Sequence, residues 1–350
     1  MNSGAGMAVD IQEQPDMYAR LIEPEHAKQV ASAAAWIAAR RPRHVVLTAR
    51  GTSGHAALYA AYLTEIRLGL PAGMASPSTV TLFDAHLDLS EALVIGVSQS
   101  GRSLDLVEMM SSARKQGALT VAVTNHPDSP LAETAELSVD IGAGRERAVA
   151  ATKTYTAQLL TLLMLIEGVR AGNGVLPAEE RAALAVLPEL AALTLADSTA
   201  TELAQRYRFA DRLVTTGRGY AYPTAREAAL KLMETSYLAA LAFSGADLLH
   251  GPLAMADPDV PVLAVVGEGP GGESMREVLA KLGERRADVV VVGPHPVAGT
   301  TALLRVPALD ERYAPLLDIL PLQQLALALA LSRGENPDLP RGLSKVTSTR

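Results

Sequence analysis

Residues 94–115 read VIGVSQSGRSLDLVEMMSSARK, and the fold follows from how this stretch changes character. An apolar run over 92–97 stops at Ser98-Gln99-Ser100-Gly101, and Ser103 follows two places on. From Leu104 the period turns helical: Leu104, Val107 and Met110 share one face, with Asp105, Glu108 and Ser112 elsewhere. A buried strand, a tight polar turn and a helix are expected in that order. The turn offers three hydroxyls, an amide side chain and backbone N–H groups at the positive end of a helix, which suits a phosphate. The plainer reading of the same residues is an ordinary helix cap.

The 350 residues are 49% hydrophobic and 20% charged, which fits a globular chain of two ordinary domains. Aromatics make up only 4%, and Ala, Leu and Val carry the apolar share, as in α/β proteins with doubly buried parallel strands. A net charge of −7 without a basic block argues against nucleic acid as a partner. The absence of cysteine excludes disulfides, thiolate metal sites and a cysteine nucleophile, and points to a cytoplasmic protein. The apolar runs at 159–166 and 325–331 read as too short or interrupted for a membrane span. The first fifteen residues are too polar for a signal peptide and read as a frayed or appended start.

Working outward, helix is expected over 17–40, strand over 44–48, and helix over 56–68 after Arg50-Gly51-Thr52-Ser53-Gly54. An extended stretch at 79–83 precedes the strand at 93–97; further strands fall at 119–124 and 137–141, and a long helix at 148–168. Alternating strand and helix mean crossover units and a parallel sheet. An Ala/Leu-rich helical region over 178–206 then bridges to a second half, where the pattern restarts. There, strands are expected at 212–216, 260–266 and 287–292, with helices at 224–241, 273–282 and 315–332. HVVLTARGTSGHAALYAAYLTE lies beside RLVTTGRGYAYPTAREAALKLME, and ALVIGVSQSGRSLDLVEMM beside PVLAVVGEGPGGESMREVL, so the halves read as a duplicated α/β domain. In the second-half turn, residues 267–272, Glu268 replaces hydroxyls and would repel a phosphate. Only the first half should hold one, and the Gly-rich string lacks the spacing of a nucleotide fingerprint.

In the second half, Glu227, Lys231 and Glu234 are spaced by four and three and share one helix face. By itself such a ladder marks a solvated surface helix. His250 follows in SGADLLHGP, a loop with Asp247 three places before it. A carboxylate, a histidine and a phosphate cradle are the set needed to move a proton between adjacent carbons of a sugar phosphate. The other histidines (26, 44, 55, 86, 126 and 295) are scattered without metal-ligand spacing, so neither metal nor redox cofactor is expected.

SQSGRSLD, GTSG, AATKTYTAQ, ALKLMETSYL, GADLLHGPLAM and LPRGLSKV together resemble a pair of sugar-isomerase (SIS) domains. The likeness is to the isomerase half of glutamine–fructose-6-phosphate aminotransferase and to stand-alone amino-sugar-phosphate deaminases/isomerases. It implies two tandem doubly wound α/β domains: a helical segment over 1–40, a phosphate-binding domain over 41–172, connecting helices over 173–206, a catalytic domain over 207–335 and a tail over 336–350. By the same resemblance Ser98, Gln99, Ser100 and Ser103 take the phosphate, Ser53 joins the sugar site, and Val149 lines the sugar. Glu234 is the base acting between C1 and C2, with Lys231 one turn before it. His250 opens the sugar ring from the neighbouring subunit of a homodimer, and Lys345 reaches the open-chain substrate; as plain sequence, Lys345 is a solvated terminal lysine.

The chain departs from the family pattern at Arg102, commonly acidic, where the guanidinium could grip the phosphate or face solvent. Met233 replaces a common lysine, and Asp247 a glutamate. The glutamine-hydrolysing half, with its N-terminal cysteine, is not expected in this polypeptide. Deamination and isomerisation of an amino-sugar 6-phosphate is the leading expectation. Dehydration of N-acetylglucosamine 6-phosphate, deglycation of a fructosamine phosphate, and non-catalytic sugar-phosphate sensing are the alternatives. The Glu–His–Lys set favours an enzyme over a sensor.

Overall fold

Two five-stranded sheets, all of whose strand pairings are parallel, carry the chain in a computed structural model that describes residues 3–345. Contacts divide it into two units. The first joins Asp16–Glu146, Lys153–Val186 and the tail from Ser344; the second joins residues up to Pro15, Arg147–Thr152 and Leu187–Leu343. The chain opens with α1 (Ala5–Gln12), which groups with the second unit. The first unit then runs α2 (Gln14–Ile22), α3 (Pro24–Arg40), β1 (His44–Ala49), α4 (Gly51–Leu63), β2 (Ala72–Met74), α5 (Pro77–Thr81), β3 (Ala92–Ser98), α6 (Leu104–Lys115), β4 (Leu119–Thr124), α7 (Pro130–Thr134), β5 (Leu137–Asp140), α8 (Lys153–Ala171) and α9 (Ala178–Ala185). Its sheet order is β2-β1-β3-β4-β5. All seven residues of β3 are buried, which explains why this strand reads as a continuous apolar run.

In the second unit, α10 (Leu187–Leu195) and α11 (Thr199–Tyr207) lead into β6 (Arg212–Gly217), α12 (Ala221–Ser236), β7 (Ala239–Ser244), α13 (Gly245–Leu249), β8 (Val262–Val265), α14 (Pro270–Glu284), β9 (Val289–Gly293), β10 (Ala302–Arg305) and α15 (Pro315–Ser332). The order β10-β9-β8-β6-β7 is the first sheet's order repeated: β6 stands for β1, β8 for β3, β7 for β2. The duplicated, doubly wound α/β reading is thereby the observed architecture. The strand order reverses between β1 and β3 in one sheet and between β6 and β8 in the other, where such folds leave a crevice at the strands' carboxyl ends.

Several boundaries differ from expectation. The stretch at 79–83 is not extended: Pro77 starts the short helix α5, and Thr79 Oγ1 donates to Ser76 O at 2.8 Å. The edge strand is β2 instead, three residues long and without an apolar signature. Helix α12 stops at Ser236 because Tyr237 takes a left-handed φ of 55° and its N–H closes onto Leu232 O. The Ala/Leu composition that follows belongs to β7, unforeseen because it reads as more helix. Pro24 and Pro188 break the expected long helices at 17–40 and 178–206 by starting new ones.

The start of the described chain is not frayed. Met7 and Ile11 are fully buried, and the Asp10 carboxylate accepts the Arg147 and Ala148 N–H groups at 2.6 and 3.0 Å. Helix α15, read as too short for a membrane span, is 18 residues and apolar enough to cross one. Here 72% of it is buried as a core helix, packed on α10, α11 and α12.

On α15 itself an acid, Asp318, is buried. Burial, reinforced by the charge of Glu311, raises the Asp318 carboxyl from 3.8 to about 8, and its Oδ2 has no hydrogen-bond partner. A pKa raised on folding contributes stability that is complete below the unfolded value and is lost as pH rises towards the folded one, about 1.4 kcal/mol per unit. Asp318→Asn should therefore match the wild type near pH 4 and surpass it progressively up to pH 8. Urea unfolding across that window measures the divergence; parallel curves would clear Asp318 of the effect.

Candidate active site

The first unit's crevice is framed by the turns after β1 and β3. In the β3 turn, Ser98 Oγ accepts the Gly101 N–H at 3.1 Å and Ser100 Oγ accepts the Arg102 N–H at 3.3 Å, folding the backbone back on itself. Gly101 takes φ 61°, and a Cβ there would run into the Ser129 hydroxyl and lie 3.1 Å from Thr124 Oγ1. The position therefore requires glycine for both conformation and space. Ser103 is the N-cap residue of α6, yet its side chain makes no capping hydrogen bond.

The two turns are tied together. Arg50, the N-cap of α4, donates from Nε to Asp105 Oδ2 at 2.7 Å, and the Asp105 carboxylate is buried in the first turn of α6. Ser53, in the first turn of α4, is buried and accepts a 2.9 Å hydrogen bond from Gln158 Nε2 of α8. The helix N-termini after β1 and β3 are thus cross-linked by one ion pair.

Beside the turn lies an open cleft of about 710 Å³, whose walls include Gln99, Ser100, Arg102, His126, Arg145 and Lys345. Lys345 is half-buried here, so it is not merely a solvated tail lysine. Ser53, Ser98 and Ser103 are not among the residues lining this cleft. Val149, expected beside the sugar, is part of the second unit, where its N–H donates to Asp338 O at 3.3 Å.

In the second unit, the predicted ladder on α12 is buried rather than solvated. Lys231 Nζ lies 2.5 Å from Glu234 Oε2 and 3.3 Å from Glu227 Oε1. The Lys231 and Glu227 side chains are 1% and 0% exposed, while Glu234 keeps 21% and reaches outward. Burial works to discharge Lys231, but the carboxylates of Glu227 and Glu234 outweigh it and hold the ammonium above its usual range. Met233, one residue before Glu234, is on the exposed side. His250 caps α13, its N–H on Asp247 O at 3.1 Å, and is exposed. No hydrogen bond or ion pair joins it to Glu234 among the described residues.

In the second sheet, the turn after β8 meets an acid of its own chain. Glu311 Oε1 accepts the Gly272 N–H at 2.9 Å at the start of α14, and a Cβ on Gly269 or Gly271 would press on the same carboxylate. The acid meeting this Gly-rich turn is Glu311; Glu268, expected in that role, pairs outward with His295 at 2.9 Å. Burial raises the Glu311 carboxyl, while the N–H groups of Gly272 and Gly271 pull it down. Among the described residues no group of three or more His, Asp or Glu could hold a metal ion.

Sequence reasoning passed over Glu227 as an active partner, although four-residue spacing to Lys231 and the flanking alanines signalled a buried face. It also missed Asp105, Gln158 and Glu311, whose partners are 50 or more places distant in most cases and carry no local signal.

Two repeated parallel sheets, a serine turn at the crevice of one and an acid–lysine–acid triad on the other define a tandem, doubly wound α/β protein. The chain belongs to the SIS domain family, whose family model matches residues 39–168 and 207–333. It is 35% identical to glutamine–fructose-6-phosphate aminotransferase (isomerizing) of Pyrobaculum aerophilum, over 98% of this chain and 57% of that protein. The chain thus spans little more than half the length of such relatives. A protein of Silicibacter pomeroyi provisionally described as a phosphosugar isomerase has the same fold, with TM-score 0.87, 35% identity and coverage of 95% and 99% of the two chains. The C-terminal domain of the Francisella tularensis glucosamine-fructose-6-phosphate aminotransferase superposes with TM-score 0.84 at 26% identity, covering 96% and 98%.

Lys231→Met should destabilise the second unit by about 3–5 kcal/mol, because the buried Glu227 carboxylate loses its countercharge. Urea unfolding measures the loss, and an unchanged midpoint would show that the triad does not hold α12. Gly101→Ala should cost roughly 1–3 kcal/mol through backbone strain and collision with Ser129; the unfolding of the first unit reports it.

Proposed function

We propose that this protein is a deaminase/isomerase of an amino-sugar 6-phosphate such as glucosamine 6-phosphate, working through an enediolamine. The observation that carries the reading is the buried Lys231 ammonium beside a partly exposed Glu234 carboxylate. A base held by a neutralising cation, in a water-poor setting, suits abstraction of a weakly acidic carbon-bound proton. Membership of the SIS family and the relatives' names support a phosphosugar substrate.

In this reading Ser98, Gln99, Ser100 and Ser103 take the 6-phosphate, and Ser53 and Val149 contact the sugar. His250 moves the proton that opens the ring, contributed across a homodimer, and Lys345 approaches the carbonyl end. Glu234 removes the C2 proton of the open-chain aldose and returns it to C1. The C2 imine so formed adds water and releases ammonia, leaving the ketose phosphate. Lys231 orients Glu234, and Glu227 orients Lys231 in turn. No redox or metal cofactor enters these steps, and the setting is a cytoplasmic one.

Incubation with glucosamine 6-phosphate should release ammonia and fructose 6-phosphate in equal amounts. Glu234→Gln should lower the rate by about 10²–10⁴-fold while sugar-phosphate binding survives. A variant turning over at the normal rate would remove Glu234 from the role of base. An ultraviolet-absorbing product from N-acetylglucosamine 6-phosphate, with no ammonia from glucosamine 6-phosphate, would transfer the assignment to dehydration. Binding of both sugars without turnover would make the protein a sensor.

A further inference from the structure

We propose that a pocket on the first unit, walled by α3, α8 and α9, binds an unbranched aliphatic monocarboxylate of about eight to ten carbons. It shares no lining residue with the cleft beside the serine turn, and the proposal does not depend on the reaction assigned above. The pocket holds about 270 Å³. Its lining is mostly apolar: Val30, Met164 and Leu184 are buried, with Ile22, Val175 and Leu176 around them. An apolar cavity of about 150 Å³ is enough for benzene, so this one has room for a chain a few carbons longer. Val175 keeps 56% of its surface exposed, apolar area that a chain lying in the pocket would cover.

The walls are fixed by contacts of their own. Gly174 takes φ 81°, and a Cβ there would lie 1.9 Å from Ala31 O, so its loop rests directly on α3. The Gly174 N–H also donates to Gly168 O of α8 at 3.2 Å. On α9 the buried Glu180 carboxylate accepts Nη2 of Arg67 at 3.4 Å and Nη2 of Arg170 at 3.2 Å, which pins the helix. A pocket formed in advance binds without the ordering cost of a mobile one.

The charged residues that line it are Lys28 of α3 and Arg181 of α9, both cations. Neither forms an ion pair among the described residues: Lys28 is not paired with Glu25 three places before it, and Glu180, next to Arg181, is taken by Arg67 and Arg170. Arg181 is nevertheless positioned, since its Nη1 donates to Leu176 O at 2.5 Å and leaves the rest of the fork for a ligand. Apolar walls with two cations match a hydrocarbon tail ending in one carboxylate. A sugar phosphate would leave its hydroxyls without partners against these walls, and a plain hydrocarbon would not use the cations.

Calorimetric titration of the full chain with butyrate, hexanoate, octanoate, decanoate and dodecanoate tests the site. Each added methylene should tighten binding about fourfold as far as the pocket reaches, and dodecanoate should gain nothing over decanoate. Octylammonium should bind about tenfold or more weakly than octanoate, a preference that shrinks as ionic strength rises. In the Lys28→Gln/Arg181→Gln double variant, both on the exposed surface, the two should bind alike. Ala27→Phe places a ring in the pocket and should abolish octanoate binding; if that variant does not fold, the double variant decides.

No saturable octanoate binding, an affinity independent of chain length, or a carboxylate preference retained in the double variant overturns the proposal. A dimer seen by sedimentation that Ala27→Phe dissociates, with no octanoate bound by the wild type, would give the pocket to a second copy of the chain and overturn it equally.

Discussion

A lysine ammonium shut away from water is the constraint around which helix α12 is organised. Lys231 is fully buried, and the carboxylates of Glu227 and Glu234 beside it offset the cost of burying its charge. Their spacings of four and three place all three groups on one stripe of α12, so the helix must stay continuous from Glu227 to Glu234. The left-handed Tyr237 ends it directly afterwards, before β7 begins. Three apolar residues in place of the whole set would be easier for the core to accept than the loss of any one member. What the charged set provides is orientation: Glu227 is spent inside, and Glu234 is the member that reaches outward.

The first unit meets a different problem, that of gathering positive potential without destabilising itself. Helix N-termini supply partial charge cheaply, since the N–H groups exist anyway. The Arg50–Asp105 pair fixes two such termini relative to each other, and Gly101 lets the β3 turn pass close under Ser129. The hydroxyls of Ser98 and Ser100 first fold the turn through backbone contacts. Their acceptor sides are used internally, and each hydroxyl hydrogen can still be donated.

Much of this was legible in the chain. The doubly buried strand β3, the polar turn and helix α6 stand in the order read from residues 94–115, and the repeat found by laying the halves side by side returns as identical sheet orders. Legibility failed where a local pattern had two physical outcomes. Thr79–Phe83 carries β-branched and aromatic residues, yet Pro77 commits its start to helix. The ladder of Glu227, Lys231 and Glu234 looks the same on a wet face as on a buried one; only packing against the apolar α15 decides. Asp105 and Glu311 act on residues far away in sequence, and no periodicity records such partners.

Duplication gives a protein two equivalent crevices, and a spare one lined with helix N–H groups would attract whatever small anions the surroundings hold. Glu311 closes that route from inside the fold. The second half carries its counter-anion in its own sequence, so its α14 terminus is neutralised at every ligand concentration. In this half the Gly-rich turn and the approach to α15 are thereby joined by a carboxylate–backbone contact.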